Sequence, residues 1–115
     1  MPLKITERMV DGVSVLDLEG RIVLGEESGA LRERVKHLLG DNRKRIILNM
    51  GNVSYIDSAG LGALVASFTS AKNQGASLKL VNLGSKFREV LQVTKLLTVF
   101  EVYDSEQAAI ASFPK

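Results

Sequence analysis

The chain has 115 residues, 15 of them basic and 13 acidic, for a formal charge of +2, and it contains no cysteine. That length supports one domain with a single core, and 45% hydrophobic against 24% charged residues is ordinary for a soluble globular protein. The composition excludes disulfides and thiolate metal sites, gives no basic excess that would point to nucleic acid, and holds no apolar run near the roughly 18 residues of a membrane span. The start Met1-Pro2-Leu3-Lys4-Ile5-Thr6-Glu7 lacks a signal-peptide pattern, so a cytoplasmic single domain over residues 1–115 is expected.

In chain order, Leu3–Val10 and Val13–Leu18 alternate around the turn pair Asp11-Gly12, which predicts a β-hairpin. Gly20 and Gly25 bracket Arg21-Ile22-Val23-Leu24, a short connection with room for one further short strand. A helix is expected from Glu26-Glu27, acids that suit the positive end of its dipole. Its apolar stripe is Leu31, Val35, Leu38 and Leu39, and Gly40-Asp41-Asn42 stops it. The buried strand Ile46–Met50 follows, then a loop, Gly51–Tyr55.

The next helix is expected from Ser58 to Asn73, with Leu61, Leu64, Val65 and Phe68 as its stripe and Gly75 as its C′ residue. Leu78–Val81 reads as a strand, Gly84-Ser85 opens a helix with Phe87, Val90 and Leu91 on one face, and Thr98–Tyr103 is a last strand. Asp104-Ser105-Glu106-Gln107 fits a capping box in which Asp104 caps a C-terminal helix. The order ββ(β)αβαβαβα predicts an α/β domain with a mixed sheet, antiparallel at the hairpin and parallel elsewhere, and about four helices.

The segment Ile56-Asp57-Ser58-Ala59-Gly60-Leu61-Gly62 is the most informative part of the chain. Two glycines stand in the first turn of a helix, where each is less favourable than alanine by about 1 kcal/mol. A serine hydroxyl stands at the helix mouth beside a carboxylate, in a zone of positive potential and unpaired N–H groups. Asp57 and Ser58 are also good N-cap residues, so capping and close packing alone would account for the pattern. Gly60-Leu61-Gly62 does not extend to a dinucleotide-binding loop, because Val65 occupies the third glycine position and no acid follows at Leu78–Asn82.

A catalytic constellation is not evident. His37, the only histidine, falls on the polar side of its helix beside Glu33, and Ser58 has no histidine base in view. The acidic residues lack the spacing of a metal cage, no Walker loop occurs, and Arg43-Lys44-Arg45 reads as solvated charge. No catalytic residue, metal or cofactor is expected, and the pattern points to a binding module.

Taken with the element order, Asp57-Ser58-Ala59-Gly60-Leu61-Gly62 closely resembles the STAS domain of bacterial anti-sigma factor antagonists, over essentially the whole chain. In that family the serine of D-S-x-G-L-G is phosphorylated by an anti-sigma factor that is also a serine kinase. The resemblance implies phosphorylation of Ser58, capture of the anti-sigma factor by the unmodified form, release of a sigma factor for transcription, and resetting by a phosphatase. It implies a partner surface at Asp57, Ser58, Ala59, Gly60, Leu61 and Gly62, with Arg21 and Val23 nearby, no direct contact with nucleic acid or membrane, and a monomer or weak dimer. Asp57 would cap the helix and orient the hydroxyl. The chain departs from the family at Gly20-Arg21-Ile22-Val23, where Val23 replaces a frequent acidic residue. The other expectation from the resemblance is a structural subunit of a stress-signalling or lipid-transport complex, with Ser58 a helix cap only.

Overall fold

Asp11 and Gly12 both take positive φ, 51° and 78°, the requirement of a type I′ turn whose twist matches paired strands. The computed structural model describes residues 3–113, the side chains of residues 26 and 27 excepted. The hairpin joins β1 (Lys4–Val10) to β2 (Val13–Ile22), and then follow α1 (Glu26–Gly40), β3 (Arg45–Ile56), α2 (Ser58–Asn73) and β4 (Ser77–Val81). The chain continues through α3 (Ser85–Val93), a 3-10 turn (Leu96–Thr98), β5 (Glu101–Tyr103) and α4 (Glu106–Ser112). The sheet runs β1-β2-β3-β4-β5, antiparallel between β1 and β2 and parallel elsewhere, as the element order predicts.

The sheet separates two cores. On one face Leu16, Leu18, Ile46, Leu48, Leu78 and Leu80 pack with Leu31, Val35 and Leu38 of α1 and Leu64 of α2. On the other, Val13, Val15, Ile47 and Val81 pack with Ala109 of α4 and Phe113. Cover on both faces explains why Val13 to Leu16 are all buried instead of alternating. Lys79 also points beneath α4, 4% exposed, with its ammonium donating to Ser112 Oγ at 2.5 Å and lying 4.2 Å from the Phe113 ring centroid. Along the same face Arg8 donates to Asp17 (2.5 Å) and Glu106 (2.6 Å), while the Asn49 amide donates to Asp17 (3.0 Å).

Four expectations change. The third strand does not stop at Met50, since 52–56 continues it by pairing with β2, Asn52 opposite Glu19 and Ile56 opposite Ile22. Register shifts between Asp17 and Glu19 and between Gly20 and Arg21 break the alternation, which makes 51–55 read as a loop. For the same reason Arg21-Ile22 extends β2 and forms no separate strand. The last strand is shorter than Thr98–Tyr103, because Leu96–Thr98 closes a 3-10 turn and only Glu101–Tyr103 reaches β4. The last helix is capped by Ser105, whose hydroxyl accepts from Ala108 N–H at 3.1 Å, and not by Asp104. The fit of Glu26 and Glu27 to the α1 dipole concerns side chains outside the described set, as do Met1 and Pro2.

Candidate functional site

α2 begins and ends where the apolar stripe predicts, and its mouth sits where the carboxyl ends of β2 and β3 meet. Asp57 is extended (φ −102°, ψ −175°), and one carboxylate oxygen accepts from Gly60 N–H at 2.8 Å, an N-cap. The other oxygen accepts from Leu24 N–H at 3.0 Å, which ties the β2–α1 connection to the helix mouth. The N–H groups of Gly60 and then Leu24 hold the Asp57 carboxyl below its ordinary value of 3.8, so it is ionised at neutral pH.

Ser58, the first residue of α2, is exposed, and its hydroxyl has no hydrogen-bond partner among the described residues. Asp57 thus caps the helix, as expected, but its carboxylate is turned to Gly60 and Leu24 and makes no hydrogen bond to the Ser58 hydroxyl. The serine is free of structural duty. It stands in the positive field of a 16-residue helix, next to an anion whose two oxygens are already engaged.

The two glycines divide. Gly60 is buried, and a Cβ there would lie 2.0 Å from the Ile22 carbonyl oxygen and 2.8 Å from Ile56 Cγ1. Its bare backbone lets α2 sit down on the end of β2, where Asp57 N–H donates to the same Ile22 carbonyl at 3.3 Å. Gly60 therefore leaves the expected contact surface, because its missing side chain serves packing. Gly62 is exposed with nothing within 4 Å of a built Cβ. One turn below Ser58 on the same helix face, it leaves the approach to the hydroxyl flat.

The remaining predicted residues fall on either side. Ala59 is half-buried and Leu61 packs against the core beneath α1 and α2. Arg21 is exposed beside Tyr55 in the β2–β3 pairing. Val23 is half-buried, and its carbonyl accepts from Ser28 N–H at 3.1 Å at the start of α1. Sequence reasoning did not place Leu24 and Tyr55 in the site; they are 78% and 56% exposed, Leu24 in the connection whose N–H reaches Asp57 and Tyr55 two residues before Asp57 in the groove beside α3. A leucine in a glycine-bounded connection with no periodic partner was the available signal for the first. His37 is exposed as expected, though its near charge is Asp41, at 3.6 Å, and not Glu33. Among the described residues no group of three His, Cys, Asp or Glu side chains could hold a metal ion, and no helix is long and apolar enough to cross a membrane.

A family model, the STAS domain, matches residues 4–109. The chain belongs to the STAS domain family. Among curated relatives of this STAS domain, the anti-sigma-B factor antagonist of Listeria monocytogenes is 28% identical over 108 residues, covering 90% of each chain. Among solved structures, the crystal structure of TM1081 from Thermotoga maritima superposes with a TM-score of 0.86 at 26% identity, covering 93% of this chain and 92% of the other. The Bacillus cell fate determinant SpoIIAA in its phosphorylated form shares the fold, with a TM-score of 0.73 at 20% identity over 96% of this STAS domain and all of that chain (100%).

Proposed function

We propose that this STAS domain is an anti-sigma factor antagonist switched by phosphorylation at Ser58. The observation that carries the proposal is the division of labour at the α2 mouth, where Asp57 caps the helix and the neighbouring Ser58 hydroxyl is exposed and unbonded. A hydroxyl kept only as a cap would be the one accepting from the helix. The Listeria monocytogenes relative named an anti-sigma-B factor antagonist, and a solved relative in a phosphorylated form, support the same reading.

In the modification step Ser58 Oγ attacks the γ-phosphorus of ATP held by the partner kinase. The Oγ–P bond forms, the bond from that phosphorus to the β–γ bridging oxygen breaks, ADP leaves, and the hydroxyl proton passes to a base on the kinase. The helix N-terminus tolerates the new charge of about −1.5 to −2, so the domain stays folded. A partner docked over Ser58, Gly62 and the Leu24 connection meets that dianion beside the Asp57 carboxylate, and like charges so placed cost several kcal/mol. At about 1.4 kcal/mol per tenfold, one phosphate is enough to release the partner, and its removal by a phosphatase restores binding.

The test is incubation of the purified domain with ATP and a serine kinase encoded beside it, followed by mass-spectrometric mapping of the phosphosite and a binding titration of both forms. Phosphate on Ser58 and weaker kinase binding by the phosphorylated form are expected. Full phosphate incorporation in Ser58→Ala would sink the site assignment.

A further inference from the structure

β3 outruns its neighbour. β4 pairs with it only from Arg45 to Asn49, whereas β2 pairs with it as far as Ile56. From Asn52 to Ile56 the edge away from β2 has no strand beside it, and no backbone hydrogen bond from another described element fills it. At about 3.3 Å per residue that is roughly 17 Å of open edge. Beside it runs a groove of about 540 Å³ whose far wall is α3. Val53, Tyr55, Phe87 and Val90 give it apolar sides, with Tyr55 56% and Val90 38% exposed.

The charge at the groove is unusual for its position. The first turn of a helix favours acids, yet α3 has none there and opens from Gly84 without a side-chain cap. It carries Lys86 and Arg88 instead. Arg88 is paired with Asp104 at 3.3 Å, while Lys86, on the groove wall, forms no ion pair among the described residues. A cation held against the dipole, without a partner, is a local cost of the kind found at functional positions.

We infer that this groove receives an extended, acid-bearing segment of a protein partner, added to β3 along 52–56 as a sixth strand. The open edge selects an extended chain, because only a strand can use its alternating N–H and C=O groups. Side chains on one face of the added strand lie over Phe87 and Val90, and an acidic side chain at the α3 end meets Lys86 and the helix N-terminus. The groove begins one residue before Asp57, so a partner reading Ser58 can reach it, but the site needs no phosphorylation and is tested without it.

The experiment pans a phage-displayed library of random nonapeptides on the immobilised domain, then titrates the selected peptides as synthetic strands against wild type, Lys86→Glu and Val90→Glu. Expected are sequences alternating apolar and polar residues around one acid, slowed amide exchange at 52–56 on binding, and about tenfold weaker binding to Lys86→Glu with a melt no lower than wild type, since an acid suits the α3 N-terminus. Exchanging the peptide acid for lysine should restore binding to Lys86→Glu. Val90→Glu, an exposed helix position, should weaken the same peptides. Failure to enrich any peptide, protection of amides elsewhere, or indifference to both substitutions would overturn the inference. Concentration-dependent protection of 52–56 without peptide would overturn it too, since it would assign the edge to a second copy of this chain.

Discussion

Gly60→Ala and Gly62→Ala place the same methyl group on the same helix, two residues apart, with opposite expected results. At Gly60 the new carbon lands 2.0 Å from the Ile22 carbonyl oxygen and 2.8 Å from its carbon, both backbone atoms that cannot rotate away. Overpacking of this kind costs about 1–3 kcal/mol and more when the neighbour is rigid, against about 0.4–1 kcal/mol gained by replacing a helical glycine. A net loss of roughly 2–3 kcal/mol follows, and the displaced helix mouth also strains the Asp57 cap. At Gly62 nothing lies within 4 Å, so only the gain of about 0.4–1 kcal/mol remains. At about 4 °C per kcal/mol for a domain of this size, thermal melts should show Gly60→Ala about 10 °C below wild type and Gly62→Ala about 2–4 °C above it. In a binding titration with the proposed kinase partner, Gly62→Ala should lose affinity about tenfold in spite of its higher melt. A Gly60→Ala melt equal to wild type would refute the steric account of that glycine. Full binding by Gly62→Ala would move the contact surface off the α2 face.

Ser58→Ala should unfold within about 0.5 kcal/mol of wild type by urea titration, because the cap is Asp57, and should incorporate no phosphate at any position. Leu24→Asp should leave the melt nearly unchanged, since the side chain is 78% exposed, while weakening binding of the proposed kinase partner at least tenfold in calorimetry. Phe113→Ala, by contrast, should cost about 3–5 kcal/mol in chemical denaturation, for it removes a buried ring that packs α4 and lies against the Lys79 ammonium. Acid should weaken the domain in part through two carboxyls. The Arg8 guanidinium, then the Asn49 amide, hold Asp17 below its ordinary 3.8, and the Gly60 and Leu24 N–H groups do the same to Asp57. The stability each contributes is present above about pH 4 and is lost as the pH falls through the lower folded value, so Asp17→Asn should show a shallower fall in melting temperature between about pH 4 and about pH 2.

Elements whose side chains repeat on one period could be read from the chain without the structure. The 3.6-residue stripe of α2, the stop at Gly75 and the Asp11-Gly12 hairpin all stand where the pattern places them. The far half of β3 did not show itself because Gly51, Asn52 and Ser54 are turn formers and the register shifts opposite them destroy the two-residue period. What holds that stretch extended is β2, some thirty residues earlier in the chain. Gly60 and Gly62 look alike in the motif, and only the approach of the Ile22 carbonyl distinguishes them. The link from Leu24 N–H to the Asp57 carboxylate was equally invisible, being a backbone donor whose identity no side chain records.

The strand order β1-β2-β3-β4-β5 never doubles back. Open α/β sheets bind nucleotides and other small ligands where neighbouring crossovers diverge to opposite faces and leave a crevice at the topological switch point. In this sheet the helices of successive crossovers, α1, α2 and α3, all contribute to one core, so no such divergence opens. The Ser58 hydroxyl stands on the exposed rim where the carboxyl ends of β2 and β3 meet, outside the groove between β3 and α3. A rim offers little enclosure to a small molecule and broad, level access to another macromolecule, so the winding of the chain itself favours recognition by a protein surface.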